Sequence, residues 1–338
     1  MGAALNDLVF VTGGTGFLGR YLLPALLVAG YRVRALVREP ERHVWLSRCP
    51  QIEVIRGSLH EQETLRLGLA GARFVVHAAG LFRFWGDERL FEHVNVNGTA
   101  ALLHAAREAD VERLVHISTI AVIGQPQPGV VIDEAHPTRP ADAYQRSKLR
   151  AERLALDYAS RGFDVIVLRP GAFYGPLGRY GFNRLFFQDP MRGLIMQVNG
   201  GRNHIMPLFT AGAADGVVRA LKYGRAGEIY NLCDDSIEHR AAFDVICAEA
   251  GLRWPRLPVP GPLGIGLSQF LTVLGELTGR EPFWPINLRS YVYNDWRVSS
   301  AKARAELGVV PTPFIEGARR TIAWYRDGMP DEIAETRC

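Results

Sequence analysis

The chain has 338 residues, of which 48% are hydrophobic and 22% are charged. This composition is that of a globular protein and excludes a disordered chain, and the length allows one large domain or two modest ones. The formal net charge of +4 is spread along the sequence without a dense basic block, so we predict no nucleic-acid partner.

Strand and helix patterns alternate through the first half of the chain. Short apolar runs predict strands at 8–12, 32–37, 52–55, 74–77, 114–118 and 165–168. Helical patterns lie between them at 17–29, 61–70, 91–109 and 141–160. Such alternation predicts an α/β fold with a parallel sheet covered by helices on both faces.

The alternation ends after Gly175. A strand near 228–232 is expected to return to the sheet, helical segments surround the proline-rich stretch 255–262, and two short helices flank Pro311 and Pro313. We therefore predict a large domain at 1–178, to which the chain returns at about 208–236. A smaller domain is predicted at 179–207 and 237–330.

The four cysteines, Cys49, Cys233, Cys247 and Cys338, lie far apart and form no Cys-x-x-Cys pair. We expect reduced thiols in a cytoplasmic protein and no metal site. The start of the chain has no signal-peptide pattern. The longest apolar stretch, 261–277, is shorter than the roughly 20 residues of a membrane span. It is predicted to be a core or pocket-lining helix, and peripheral contact with a bilayer surface is the alternative.

A glycine-rich turn follows the first predicted strand and opens the first helix. Its glycines allow a tight turn and close approach of a pyrophosphate, which the helix N-terminus attracts. The strand and helix on either side are the context that this motif requires. An ordinary tight turn is the alternative. The predicted cofactor-binding residues of the turn are Gly13, Thr15, Gly16, Phe17, Leu18 and Gly19.

The end of the second strand bears on the choice of cofactor. An acidic residue there would accept a hydrogen bond from a ribose hydroxyl of the cofactor, but the chain has Val37 followed by Arg38. Arg34 lies on the same side of the strand, and no acid occurs before Glu39. Arginine pairs well with a 2′-phosphate, so NADP(H) is favoured over NAD(H). The alternative is that Arg38 is only a solvated cation.

Tyr144 and Lys148 are four residues apart at the start of a predicted helix, and therefore share one helix face. An adjacent ammonium lowers the pKa of a phenol, which makes tyrosine a usable acid or base. Ser118 and Thr119 end a predicted strand and point to opposite sides, so one of them is expected to orient a substrate oxygen.

The pattern of motifs over residues 5 to 180 resembles the extended short-chain dehydrogenase/reductase superfamily, of the NAD-dependent epimerase/dehydratase type. The nearest branches are the 3β-hydroxysteroid dehydrogenases and the dihydroflavonol reductases, with hopanoid-associated sugar epimerases as a second branch. The matching segments are the turn 13–19, Val76-His77-Ala78-Ala79, Asn95-Val96-Asn97-Gly98-Thr99, Ile117-Ser118-Thr119, Tyr144-x-x-Ser147-Lys148, Leu168-Arg169-Pro170-Gly171-Ala172 and Tyr174-Gly175-Pro176.

The resemblance implies a Rossmann-type, doubly wound dinucleotide domain and a smaller substrate domain. It implies that Tyr144 is the general acid/base, that Lys148 holds the nicotinamide ribose, and that Thr119 is the catalytic hydroxyl. It also implies cofactor contacts from Ala78, Ala79, Pro170 and Ala172, with Asn95 in support. Ser58 and Leu59 occupy the adenine position, where many members have an aspartate. A homodimer through the helices 91–109 and 141–160 is expected.

Three functions remain open from the sequence. The first is NADP(H)-dependent reduction of a ketone, or oxidation of a secondary alcohol, on a bulky hydrophobic small molecule, because 81–85, 183–187 and 263–284 are rich in apolar and aromatic residues. The second is a nucleotide-sugar epimerase or dehydratase with a tightly held cofactor, for which Arg83, Arg184 and Arg202 could bind the diphosphate. The third is a non-catalytic NADP(H)-sensing protein. His77 and His116 are expected to be structural.

Overall fold

The computed structural model describes residues 6–253, 255–282, 284 and 286–338. Its strands are β1 (Leu8–Thr12), β2 (Arg32–Val37), β3 (Ile52–Arg56), β4 (Phe74–His77), β5 (Arg113–Ile117), β6 (Val131–Ile132), β7 (Asp164–Pro170), β8 (Ala172–Tyr174), β9 (Ile195–Val198), β10 (His204–Ile205), β11 (Pro207–Phe209), β12 (Ile229–Leu232), β13 (Ile237–Glu238), β14 (Arg256–Val259) and β15 (Arg297–Val298). Its α-helices are α1 (Phe17–Val28), α2 (Gln62–Leu69), α3 (Glu88–Phe91), α4 (Gly98–Glu108), α5 (Ala143–Ser160), α6 (Asp189–Met191), α7 (Thr210–Tyr223), α8 (His239–Ala250), α9 (Gly261–Thr278), α10 (Arg289–Val292), α11 (Ala301–Leu307) and α12 (Phe314–Arg326).

Seven strands form one parallel sheet in the order β3-β2-β1-β4-β5-β7-β12. β1 is central, with Val11 opposite Ala35 of β2 and Val76 of β4. The inner strands are short, almost wholly apolar and buried on both faces, as expected where helices cover a parallel sheet. The Rossmann-type α/β fold predicted from the sequence is confirmed, including the return of the chain at β12.

Helices cover both faces of the sheet. One apolar cluster packs against α1, α7 and α11 and includes Leu22, Leu26, Val217, Leu221 and Leu307. The opposite cluster packs against α2, α4 and α5 and includes Leu65, Leu69, Leu102, Leu103 and Ala155. Truncation of a fully buried leucine such as Leu22 to alanine costs about 2–5 kcal/mol, so these clusters hold the layers together.

The helix predicted as continuous over 91–109 is interrupted. A π-helical turn, Glu92–Asn97, separates α3 from α4. The turn directs the buried Asn95 side chain toward the loop after β4, where it bonds both backbone groups of Leu81 and donates to the Ser147 hydroxyl at 2.9 Å. π-Turns are frequent where a helix must aim a side chain at a functional region.

The C-terminal part has its own aromatic core and several short strand pairs. Phe182, Phe186, Phe243 and Phe314 pack together with residues of α8 and α12. β8 pairs with β11, and β9 pairs with β14, which the sequence reading did not identify. Helices α11 and α12 lie on either side of the two prolines, as predicted. The division into two domains stays a prediction.

The expectation of reduced thiols is wrong for two of the cysteines. Cys49 and Cys338 form a disulfide across 289 residues, with their Cα atoms 5.2 Å apart. Arg48 pairs with Glu332 beside this bond and helps to hold the C-terminal segment there. Spacing in the sequence could not reveal this contact, because it depends on where the final residues pack. Cys233 and Cys247 carry free thiols.

The apolar stretch at 261–277 was predicted to be a core or pocket-lining helix, and this is wrong for most of its large side chains. It forms α9, and Leu263, Leu267 and Phe270 are exposed to solvent. Within the described residues, no helix is both long and apolar enough to cross a membrane.

Asp295 joins several loops of the C-terminal part. One carboxylate oxygen accepts a hydrogen bond from the backbone N–H of His204 at 2.8 Å. The other accepts hydrogen bonds from the backbone N–H of Gly129 and from the Arg297 guanidinium, both at 2.9 Å. Burial acts to raise the pKa of Asp295, but these hydrogen bonds outweigh it and hold the pKa well below its usual range.

We therefore expect Asp295→Asn to lower the free energy of unfolding at pH 7 by about 2 kcal/mol. Because the folded-state pKa is depressed, the stabilisation is present above the unfolded value of about 3.9 and is lost as the pH falls further. Denaturant unfolding at several pH values measures the difference. Asp215→Asn, which removes an exposed partner of Arg219, is the control. Equal losses in the two variants at pH 7 would contradict the prediction.

Candidate active site

The glycine turn packs directly against the loop after β4. Gly13 has φ of 76°, and a Cβ there would lie 2.5 Å from backbone atoms of both Ala78 and Ala79. A Cβ on Gly19 would lie 2.3 Å from the Gly13 carbonyl oxygen. No side chain caps the start of α1 at Gly16. The turn therefore presents close-packed backbone and a helix N-terminus, an arrangement that suits an anion.

A cavity of about 380 Å³ runs from this turn past the carboxyl ends of β4, β5 and β7. The structure brings most of the predicted site residues to its wall. These residues are Gly13, Gly16, Phe17, Leu18, Gly19, Ala78, Thr119, Tyr144, Lys148, Pro170 and Ala172. Ligands of open parallel sheets bind at this edge, beyond the carboxyl ends of the strands.

Five predicted cofactor residues do not line the cavity: Thr15, Arg38, Ser58, Leu59 and Ala79. Thr15 is partly buried in the turn. The amide of Ala79 donates to the Thr12 hydroxyl. The Ser58 hydroxyl bonds a neighbouring glutamate, and Leu59 is buried in the apolar core under α2 and α4.

Arg34 of β2 and Arg38, which follows the strand, have different surroundings. Arg34 pairs with Glu53 at 2.9 Å and donates to the carbonyls of Gly68 and Ala70 at the end of α2, so its charge is used within the fold. Arg38 follows the last residue of β2 and is exposed. Of these two cations, Arg38 is the one available to a ligand at the strand end.

Tyr144, Lys148 and Thr119 meet on one side of the cavity. Helix α5 begins after Asp142, whose carboxylate accepts a hydrogen bond of 2.8 Å from the backbone N–H of Gln145. The first turn of the helix therefore carries Tyr144. The Lys148 ammonium lies one turn further and donates to the Ile117 carbonyl at the end of β5, at 2.6 Å.

Burial is the largest influence on the pKa values of Tyr144 and Lys148. It raises the pKa of Tyr144 above its ordinary value, against a hydrogen bond with Thr119 that acts to lower it. It lowers the pKa of Lys148 to about 8, against the attraction of Glu152. The expectation of a depressed tyrosine pKa is therefore wrong for this structure, because loss of hydration outweighs the neighbouring groups.

The two strand-end hydroxyls have different partners. Ser118 donates to Glu152 at 2.6 Å, and that carboxylate also forms a buried ion pair with Arg169 at 2.6 Å. Thr119 is hydrogen-bonded with Tyr144. Ser118 thus belongs to a structural network behind the cavity, which leaves Thr119 as the hydroxyl beside the phenol.

The prediction of structural histidines fits His77 but only partly fits His116. The ring nitrogens of His77 lie 2.7 Å from the Thr12 hydroxyl and 2.8 Å from the Thr99 hydroxyl. His116 is fully buried, and neither ring nitrogen has a hydrogen-bond partner among the described residues. Burial lowers the pKa of both rings, so both are neutral at pH 7.

The far wall of the cavity is apolar and aromatic. Of the residues that the sequence suggested, Leu81, Phe82, Phe84, Leu185 and Phe186 line it. Trp85 and Phe187 do not line it, and Phe283 lies outside the described residues.

Sequence reasoning missed Tyr180, Phe182, Met206, Tyr291 and Val292 in this wall. The Phe82 ring lies 4.9 Å from the Tyr144 ring and 5.8 Å from the Tyr180 ring, measured between centroids. The aromatic run at 291–296 was the available signal, but nothing local places it beside β4.

The candidate diphosphate cations are not at the cavity. Arg83, Arg184 and Arg202 do not line it. Within the described residues, Arg179 is the arginine in its wall, and it pairs with Asp331 at 2.8 Å. The substrate side is therefore poor in cations.

Comparisons with known proteins identify relatives of this chain. The model of the NAD dependent epimerase/dehydratase family matches residues 9–233. The chain is 36% identical to the 4-hydroxy-2-methyl-3-oxo-4-farnesyl-3,4-dihydroquinoline-1-oxide ketoreductase of Stigmatella aurantiaca over 72% of its own length and 73% of the relative's. It is 29% identical to the 3 beta-hydroxysteroid dehydrogenase/Delta 5-->4-isomerase of Mycobacterium tuberculosis (strain CDC 1551 / Oshkosh), over 90% and 86% of the two chains.

A solved dTDP-glucose 4,6-dehydratase from Streptomyces venezuelae, with NAD and TYD bound, superposes with a TM-score of 0.76 at 25% identity. The match covers 95% of this chain and 97% of that one. With the family model spanning more than half of the sequence, the chain belongs to the NAD-dependent epimerase/dehydratase family of extended short-chain dehydrogenases, and it is an NAD(P)-dependent enzyme.

Proposed function

We propose that this enzyme is an NADP(H)-dependent oxidoreductase that reduces a ketone, or oxidises a secondary alcohol, on a bulky hydrophobic substrate. The observation that carries the proposal is that one cavity joins the glycine turn, the Tyr144–Lys148–Thr119 group and an aromatic wall. The intact catalytic group argues against a sensing protein without activity.

The residues of the turn fit a dinucleotide. Side chains are excluded at Gly13 and Gly19, so a pyrophosphate can approach the backbone and the start of α1. Lys148 would hold the nicotinamide ribose, and the exposed Arg38 would pair with a 2′-phosphate. When bound, the cofactor supplies or accepts the hydride.

Proton transfer falls to the side chains of the cavity. Thr119 donates a hydrogen bond to the substrate carbonyl oxygen, and Tyr144 gives its phenolic proton to that oxygen as negative charge develops there. The raised pKa of Tyr144 keeps the phenol protonated at pH 7, which is the form that reduction needs. The Lys148 ammonium then stabilises the phenolate that remains.

The apolar far wall supports a hydrophobic substrate. Phe82, Phe84 and Tyr291 lie where the substrate would meet Tyr144, and the candidate diphosphate arginines are absent from the wall. Two relatives are in keeping with this: one is a ketoreductase of a farnesyl quinoline, and the other is a 3 beta-hydroxysteroid dehydrogenase/isomerase.

We expect Tyr144→Phe to lower kcat for ketone reduction by roughly 10²- to 10⁴-fold, because it removes the proton donor and leaves the ring in place. Loss of NADPH absorbance with a panel of hydrophobic ketones measures the rate. Tyr158→Phe, on the same helix but outside the cavity wall, is the control and should keep full activity. Undiminished turnover in Tyr144→Phe would remove the catalytic assignment. A tightly retained cofactor with no net change in absorbance would favour the epimerase instead.

We expect Arg38→Ala to raise the Kd for NADPH by roughly 10- to 100-fold, since it removes a charged hydrogen-bond partner of the 2′-phosphate. The Kd for NADH should not change. Calorimetric titration with both cofactors measures this, and Arg32→Ala at the opposite end of β2 is the control. Tighter binding of NADH than of NADPH by the unaltered protein would contradict the assignment.

The pH dependence of reduction should report Lys148. Because the pKa of Tyr144 is raised, the phenol stays protonated at alkaline pH, and the pKa of Lys148 is about 8. We expect kcat/KM for reduction to fall above that pH as the ammonium loses its proton. Lys148→Arg keeps a permanent charge in another shape, so it should start lower and lose the alkaline decline. A flat wild-type profile up to about pH 10 would contradict this.

A further inference from the structure

Helix α9 carries small residues on its inner side. A Cβ on Gly264 would lie 2.0 Å from the Tyr293 hydroxyl, and one on Gly275 would lie 2.8 Å from the Arg280 carbonyl. Ser268 is fully buried between them and donates to the Gly264 carbonyl at 2.8 Å. A Cβ on Gly266, by contrast, would meet open space. The helix backbone is thus pressed against the body of the protein along one side only.

Six of the eight large apolar side chains of α9 lie on its outer side. Leu263 is 71% exposed, Phe270 is 65% exposed and Leu277 is 80% exposed. Leu267, Val273 and Leu274 complete a stripe that spans about a third of the helix circumference at 100° per residue. No charged residue occurs from Gly261 to Gly275. A solvent-facing helix surface is normally polar, so this outer face of α9 is expected to be covered by another molecule.

The inner side of α9 lies next to the substrate side of the cavity. Leu271, on this inner side with Gly264, Ser268 and Gly275, packs in an apolar cluster with Phe84, Tyr291 and Val292. Those three residues also line the cavity wall.

A second copy of the chain is a poor occupant for this face. A helix of 18 residues is roughly 27 Å long and about 10 Å wide, so its contact covers on the order of 300 Å². A stable protein interface needs about 800 Å² from each partner.

The acyl boundary of a bilayer accepts a helix of this kind. It requires an apolar stripe that can enter the surface layer, and the strength of binding grows with the apolar area that is buried and with attraction to anionic lipids. Arg280 follows the C-terminal end of α9 and is exposed, where it can meet lipid phosphates. The formal net charge of the chain is +4, which favours an anionic surface.

We propose that the outer face of α9 is a membrane-surface site, through which the protein binds peripherally to the interfacial layer of a phospholipid bilayer. The site rests on the surface of this helix and does not depend on the proposed reaction.

Sedimentation with vesicles tests the proposal on the full-length protein. The probes are vesicles of phosphatidylcholine alone and of phosphatidylcholine with phosphatidylglycerol. We expect the protein to sediment with vesicles, more strongly with the anionic ones. The triple variant Leu267→Ser, Phe270→Ser, Leu274→Ser should weaken partitioning by at least about tenfold, because it removes three apolar groups that enter the surface layer. The control variant Val28→Ser, Leu67→Ser, Val310→Ser removes three exposed apolar side chains elsewhere and should bind normally.

Three outcomes would overturn the proposal. One is a protein that stays in the supernatant with both vesicles, and another is a triple variant that binds as well as the control. The third is an oligomer in analytical ultracentrifugation that the triple variant converts to monomer, since a second copy then covers the face.

A reporter variant guards against misfolding of the triple variant. In Phe270→Trp, the added indole fluorescence should shift to shorter wavelength on addition of vesicles, and an unshifted spectrum would count against the proposal. Vesicle binding is measured without turnover, so its failure is separate from failure of the proposed reaction.

Discussion

The hydrogen bond from the Lys148 ammonium to the Ile117 carbonyl, 2.6 Å long, fixes the active-site side of this fold. It joins the second turn of α5 to the end of β5, so Tyr144, one turn earlier, and Thr119 are held on one side of the cavity. Behind it, the buried pair of Glu152 and Arg169 ties α5 to β7. Removal of one partner would leave the other charge unpaired in the interior, which makes the geometry of α5 costly to change.

Burial of this group has an electrostatic consequence. Lys148 lies near two neutral histidines. Loss of hydration lowers the pKa of Lys148 and raises the pKa of Tyr144. The Glu152 carboxylate, one turn further along α5, is the anion that opposes this effect on Lys148. A phenol that stays protonated beside a cation of moderate pKa is suited to give a proton to a substrate oxygen.

The substrate side is assembled from distant parts of the chain. Phe82 comes from the loop after β4, Tyr180 from the segment after β8, and Tyr291 from α10. The Phe82 ring contacts the rings of Tyr144, Tyr180 and Tyr291. The wall that would select the substrate therefore depends on how the C-terminal part packs onto the sheet. The catalytic group thus comes from the sheet and α5, and the substrate wall comes largely from other parts of the chain. Such an arrangement fits a family in which a shared catalytic group serves many substrates.

The parallel sheet, the glycine turn and the spacing of Tyr144 and Lys148 could all be predicted from local sequence patterns. These depend on local patterns: buried strands are apolar runs, Gly13 must adopt a positive φ against Ala78, and residues four apart share a helix face. Three features could be recognised only in the folded protein: the Cys49–Cys338 bond, the raised pKa of Tyr144 and the outward direction of the apolar side of α9. Each of these depends on burial and on contacts between residues far apart in the chain, which no local pattern encodes.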